Sequence, residues 1–244
     1  FGLPDSYMSV VESLKHACLQ NKVNLDLQWI DADNYDAEDI SNLDGVVVPG
    51  GFGVRGIEGK ISAIQYLREN KIPFLGICLG LQCAVIEYAR NVCGINEANS
   101  SEFSQNTKDF VIDLLPNQDL DKDDVGASMR LGTYPCKITK NTITSEIYKD
   151  EVIYERHRHR YEVNNKYREV LEKNGLIFSG LSPDNNLVEM IELKDHPFFV
   201  ASQFHPEFKS RPWEPAPMFN KFIQSAASSQ NTEKTTSTKT KVKD

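Results

Sequence analysis

Four stretches of this sequence bring together residue types that can do chemistry. In Gly76-Ile77-Cys78-Leu79-Gly80 a thiol sits between glycines, after an apolar run and before a helical pattern. That is the layout of a nucleophile elbow, in which small neighbours permit a sharp turn and the side chain stands above a sheet. A helix N-terminus favours the thiolate, which makes Cys78 a candidate nucleophile at neutral pH. The pentapeptide fits equally a small cysteine that merely packs. Cys18, Cys83 and Cys93 lack this context and read as structural.

A sulfur nucleophile needs a base. FVASQFHPEF at 199–208 alternates like a strand, and at its end His205 and Glu207 are two residues apart, so an extended chain projects them to one side. Pro206 stiffens the link between them. Glu207 can then hold one imidazole nitrogen and leave the other for the sulfur. The plain alternative is a surface loop with an incidental histidine. A third stretch, Pro49-Gly50-Gly51-Phe52-Gly53-Val54-Arg55-Gly56, follows a strand and exposes backbone N–H groups. One of these, with the N–H of Leu79, can form an oxyanion hole. A phosphate loop or a plain turn is the alternative, although the pattern is not G-x-x-x-x-G-K-[ST]. In ERHRHRYE at 155–162, alternation sends Arg156, Arg158 and Arg160 to one face and His157 and His159 to the other. An arginine-lined face suits a carboxylate or phosphate. A solvated strand edge or a nucleic-acid patch is the competing reading, which the flanking Glu155 and Glu162 oppose.

These stretches need a frame that holds them. LDGVVVPGG and IPFLGIC read as short strands buried on both faces, each followed by a helical stretch, at 58–70 and 79–92. This alternation predicts an α/β fold with a doubly wound, mainly parallel central sheet flanked by helices, of flavodoxin-like type. A first helix is expected from Asp5 or Ser6, both capping residues, through residue 20. LDLQWID at 25–31 reads as a strand, 96–130 as loops, 164–175 as a helix and 215–227 as the last helix. YPCKITK, LIFSGLS, LVEMIEL and PFFVASQF read as further strands. One domain is expected over 1–225, with its first strand apparently missing, followed by a flexible Ser/Thr/Lys-rich tail at 226–244.

Composition sets limits. Lys and Arg number 27 against 35 Asp and Glu, a formal charge of −8, which argues against nucleic acid as partner. No apolar run nears the roughly 20 residues of a membrane span, and no signal peptide is visible. Five cysteines without framework spacing suit a reducing, cytoplasmic setting and suggest no metal site.

PGGFG, GICLGLQ and FHPEF, in that order, resemble the class I glutamine amidotransferases. The resemblance is closer still to one member, a glutaminase domain joined to a synthetase domain. It rests on GFGVRGIEGK at 51–60, NEANSSEF at 96–103, MRLGTYPC at 129–136 and, above all, ERHRHRYEVN at 155–164. It implies that Cys78 forms a γ-glutamyl thioester with glutamine while His205, oriented by Glu207, moves the protons. Gly51 and Leu79 would supply the oxyanion N–H groups. Gly51, Phe52, Leu79, Gln82, Glu102 and Arg160 would bind L-glutamine: an α-carboxylate wants a guanidinium and an α-ammonium a carboxylate. Arg55 and Arg130 become possible contacts for a GTP effector, although QDLDKDDVGAS at 118–128 departs from the glycine-rich version such a site resembles. No cofactor is implied for this domain. ATP, Mg2+ and UTP belong to the synthetase domain of a longer, homotetrameric enzyme. A γ-glutamyl peptidase or a non-catalytic module on the same scaffold are the alternatives.

Overall fold

The computed structural model describes residues 4–104, 106–114 and 129–239. Along the chain follow α1 (Met8–Asn21), α2 (Ala37–Ser41), β1 (Val46–Val48), α3 (Ile57–Glu69), β2 (Phe74–Ile77) and α4 (Leu79–Asn91). Then come β3 (Asn99–Ser100), β4 (Phe110–Leu114), β5 (Arg130–Ile138), α5 (Ile143–Tyr148), β6 (Val152–His159) and β7 (Tyr161–Val163). The chain closes with α6 (Arg168–Lys173), β8 (Ile177–Leu181), β9 (Val188–Glu192), β10 (Phe199–Ser202) and α7 (Pro217–Lys239).

The large sheet has the order β1-β2-β10-β9-β8-β5-β6, and a small sheet the order β3-β4-β7. β1 and β10 flank β2 in parallel, and the strands beyond β10 run antiparallel. The α/β sheet flanked by helices is therefore present, with its parallel part in the half that carries Cys78 and His205. The strands beyond depart from a mainly parallel sheet because β8, β9 and β10 follow one another through short connections. Such links can only join antiparallel neighbours, whereas β1 reaches β2 through the crossover helix α3.

Alternation along the central strands feeds two cores. Phe74 and Phe199, fully buried with ring centroids 4.5 Å apart, face the α3–α4 side with Ala201. Leu75, Ile77 and Val200 face the other side, against Leu14, Cys18, Phe219 and Phe222 of α1 and α7. Losing either phenylalanine ring would cost about 3–5 kcal/mol. α4 is buried from Leu79 to Ala89, because it lies between the large and the small sheet. A helix covered all round must be apolar all round. Its one buried acid, Glu87, is clasped by Arg68 at 2.7 Å.

Several elements differ from the sequence reading. Asp5 and Ser6 lie in a 3₁₀ turn, and α1 starts at Met8 without a side-chain cap. Residues 25–31 form no strand: β1 is the sheet edge and pairs only with β2, so their backbone has no ladder to join. The 96–130 region holds β3 and β4, and its residues 115–128, with QDLDKDDVGAS, lie outside the described residues. α2 and α5 are too short for periodicity to reveal; each is held by a capping box, Asp36 with Asp39 and Thr142 with Ser145. α7 runs to Lys239 rather than ending near 227, and residues 240–244 of the tail lie outside the description.

Candidate active site

β2 ends at Ile77 and α4 begins at Leu79, so Cys78 alone makes the turn. Its backbone sits at φ 51°, ψ −99°, a conformation L residues rarely adopt. Strain of this kind costs about 1–3 kcal/mol and persists only where the surroundings impose it. Here the Cys78 N–H donates to Ser202 O at 2.7 Å, and its carbonyl starts the helix by accepting from Leu81 and Gln82. Gly80 has to be glycine: a Cβ there would lie 2.1 Å from the carbonyl oxygen of Val48. α4 can therefore cross β1 closely enough to hold the elbow. The Cys78 side chain is 3% exposed, so it is enclosed as well as strained. Burial pushes the thiols of Cys18, Cys83, Cys93 and Cys136 upward, that of Cys83 to about 12, which suits packing roles. All five cysteines are free.

His205 and Glu207 meet Cys78 from the end of β10. His205 Nδ1 and Glu207 Oε1 are 2.8 Å apart. They meet through a 3₁₀ turn starting at Pro206, not through extended chain as the spacing predicts. The turn is the better device, because it brings both groups inward and buries Glu207. The His205 N–H donates to Arg156 O at 2.8 Å, which ties the turn to β6. Gly50 marks the point of convergence. A Cβ on Gly50 would lie 2.9 Å from His205 Cε1 and 3.5 Å from Cys78 Cβ, so any side chain there would push into the pair. Nε2 of His205 is buried and makes no hydrogen bond within normal limits, but the thiol is near enough to act on the ring. Burial opposes the imidazolium, and the interactions with Cys78 and Glu207 overcome it, raising His205 to about 10.

The glycine loop after β1 lies beside this pair. A Cβ on Gly51 would touch the Leu79 side chain at 3.1 Å, so the loop and the first turn of α4 are neighbours. The Leu79 N–H, as the first of a helix, has no acceptor within the helix. Gly53 N–H donates to Glu102 Oε1 at 2.9 Å. Burial raises the Glu102 carboxyl, opposed by that N–H and by the charge of Arg160. Glu102 and Arg160 thus share one field, and Arg160 stands at the junction of β6 and β7. Phe52 is 58% exposed at the loop tip, with the Arg158 guanidinium 5.6 Å from its ring centre. Gln82 is buried, and its Nε2 donates to Tyr161 O and Gln203 Oε1.

β6 keeps the predicted alternation: Arg156 and Arg158 face out, and His157 and His159 are buried. The inward face, however, is a charged cluster that sequence reasoning missed. Arg130 Nη1 lies 2.7 Å from Glu189 Oε1 and 3.5 Å from Glu162 Oε1. His157 Nδ1 and His159 Nε2 are 2.9 Å apart beside these carboxylates. Arg130 is therefore largely enclosed and paired with carboxyl groups, in contrast to the exposed Arg55. Arg55 is exposed and paired with Asp33 at 3.2 Å. Glu189 carried a signal: it is an acid inside the apolar run LVEMIEL, which requires a buried partner. Among the described residues, no cluster of His, Cys, Asp and Glu can hold a metal ion, and no helix is long and apolar enough to cross a membrane.

A strained cysteine at a strand–helix turn, a carboxylate-backed histidine and a glycine loop define a thiol acyl-transfer centre. Residues 2–225 match the family described as Glutamine amidotransferase class-I, and the chain belongs to that family. Its relatives include CTP synthases. That of Caldanaerobacter subterraneus subsp. tengcongensis is 60% identical over 226 residues, 91% of this chain and 42% of that protein. That of Bacillus subtilis is 57% identical over 233 residues, 94% of this chain and 43% of that protein. The chain thus spans less than half the length of these relatives. Among solved structures it is similar to the glutaminase domain of Trypanosoma brucei CTPS with bound acivicin. The TM-score is 0.85 and the identity 40%, over 92% of this chain and 89% of that one.

Proposed function

We propose that this chain is the glutaminase part of a CTP synthase and hydrolyses L-glutamine to glutamate and ammonia. The observation that carries the reading is the convergence of Cys78, at its strained φ of 51°, and the His205–Glu207 pair on Gly50. The sulfur attacks the side-chain amide carbon, a C–S bond forms, and the carbonyl electrons move to oxygen. The N–H groups of Gly51 and Leu79 face that oxyanion. Collapse breaks the C–N bond, and ammonia leaves with a proton from His205. Water, giving its proton to His205, then attacks the thioester; the C–S bond breaks and its electron pair returns to sulfur. Arg160 receives the substrate α-carboxylate and Glu102 its α-ammonium, with Phe52 over the opening and Gln82 beneath.

In the longer protein, the ammonia replaces the 4-oxygen of UTP, activated by ATP with Mg2+, in a homotetramer stimulated by GTP. Among the described residues no group of His, Cys, Asp and Glu fits Mg2+, and no step here runs through ATP, Mg2+ or GTP. The identity to CTP synthases over nine-tenths of the chain supports this reading over a γ-glutamyl peptidase. The free, non-framework cysteines support a reducing cytoplasmic setting. Acivicin, an electrophilic amino acid, is the test. Covalent labelling at Cys78, blocked by glutamine, is expected, with loss of ammonia release in Cys78→Ala. Labelling at another cysteine, or near-full turnover by Cys78→Ala, would overturn the assignment.

A further inference from the structure

The segment between β10 and His205 carries another polar side chain into the site. Gln203 directly follows the end of β10, two residues before His205, and it has no solvent exposure. Its backbone is fixed by an N–H donated to Glu189 O at 2.8 Å. Its side-chain Nε2 lies 3.6 Å from Cys78 Sγ, in position to donate to the sulfur. The amide is held against turning over, because Gln82 Nε2 donates to Gln203 Oε1 at 3.3 Å. Gln82 is in turn held by Tyr161 O at 3.1 Å. With Oε1 engaged as acceptor, the NH2 end can only point at the thiol.

We propose that Gln203 is a further catalytic residue, a hydrogen-bond donor to the Cys78 sulfur, and that Gln82 positions its amide. The inference rests on the reading of Cys78 as the nucleophile. A donor strengthens most when its acceptor becomes an anion. The sulfur is anionic before attack and again when the thioester C–S bond breaks and the electron pair returns to it. The amide is therefore worth most at the two ends of the reaction, and it carries no charge of its own to desolvate. The other groups that face the sulfur are His205, with Glu207 behind it, and the Arg158 carbonyl of β6 at 3.9 Å. The Arg158 carbonyl can only accept, and His205 gives up its proton during the reaction, so Gln203 is the donor that stays.

The test is Gln203→Met, which keeps length and volume and removes the donor. The rate of Cys78 alkylation by iodoacetamide is followed against pH, with the site read by peptide mass spectrometry. The midpoint is expected to rise by about one pH unit, since a hydrogen bond to a charged group is worth roughly that much. The kcat for glutamine is expected to fall about tenfold with KM little changed. Gln203→Glu, which sets a carboxylate by the sulfur, is expected to raise the midpoint further. Gln82→Met is expected to give a smaller shift of the same sign, and it serves if Gln203→Met does not fold. An unmoved or lowered midpoint in these variants overturns the proposal. Alkylation needs no glutamine, so this outcome is separable from the glutaminase reading. Shifted midpoints in these variants, beside a wild-type protein that cannot hydrolyse glutamine, would sink that reading and leave Gln203 in place.

Discussion

His205 stands between a thiol and a carboxylate; His157 and His159 stand between an arginine and each other. Both places are enclosed, and burial alone disfavours an imidazolium in each. In the first, Cys78 and Glu207 overcome the burial and raise His205 to about 10. In the second, burial is reinforced by the charge of Arg130, and His157 falls to about 2 and His159 to about 3. One side chain type, just past the end of β10 and on β6, is held as a cation in one place and as a neutral ring in the other. Anionic partners decide the outcome more than depth does. The proton carrier of the reaction is where the acid partner is free to act on it. Around the other two rings, the nearby carboxyls are themselves pushed up by burial and face Arg130.

The strongest way to break this contrast is to remove the acid from the first site. Glu207→Gln keeps the shape and takes away the charge that helps raise His205. Turnover is expected to fall by about 10^3–10^4-fold, as when the orienting acid of a triad is neutralised. The sign for pH follows from the shift. His205 has to be protonated to release ammonia, and its raised value keeps it so up to about pH 10. The variant should lose activity at lower pH, so the basic limb of kcat/KM moves toward neutrality. A basic limb that stays in place while turnover falls would show that Glu207 orients the ring without charging it.

The next largest effect belongs to the second site. Arg130→Met leaves Glu162 and Glu189 enclosed without their cation. Breaking such a buried set costs about 3–5 kcal/mol, to be read by denaturant unfolding. Arg130→Lys should recover part of this, because a point charge meets one carboxylate but not both. The comparison is made above pH 7, past the raised Glu189 value, and a variant as stable as the wild type there would mean that these carboxyls need no cation.

These two sites also differ in how far the sequence reveals them. Cys78, His205 and Glu207 are legible because each lies where an element ends, and element ends are written in glycines and prolines. The geometry that joins His205 to Glu207 was less so, since a 3₁₀ turn and an extended chain can both serve a spacing of two. The charged cluster is built from β5, β6 and β9 of the large sheet and β7 of the small one; Arg130 and Glu189 are far apart in sequence, and only the fold brings them together. Alternation shows that His157 and His159 point away from the arginines, but not what they meet. Glu192 shows the same limit. It ends β9 and accepts from Ile143 N–H at 2.7 Å and Thr144 N–H at 2.9 Å, anchoring the start of α5 from 49 residues away. The LDLQWID stretch fails in the opposite direction: its pattern suits a strand, but a strand also needs a neighbour.

The smallest expected effect sharpens the contrast most, because it tests charge and not packing. Burial raises Glu189 to about 7, against the pull of Arg130, so the folded chain holds a proton there that the unfolded chain gives up nearer 4.5. A raised carboxyl stabilises the fold fully below the unfolded value, and this is lost as pH rises through about 7. The buried histidines act with the opposite sign. The unfolded chain takes protons near 6.5 that His157 and His159 refuse until about 2 and 3, so they cost stability as pH falls below 6.5. Between about pH 4.5 and 6.5 the two contributions oppose one another, and the wild type should show a shallow dependence there. Glu189→Gln removes the carboxyl contribution and leaves that of the histidines. Its deficit against the wild type should grow on acidification from pH 7 to 4.5, reaching on the order of 2 kcal/mol. Denaturation midpoints at several pH values read the difference directly. A deficit that stays constant across that range would mean Glu189 is ionised in the fold, and that Arg130, not burial, governs the cluster.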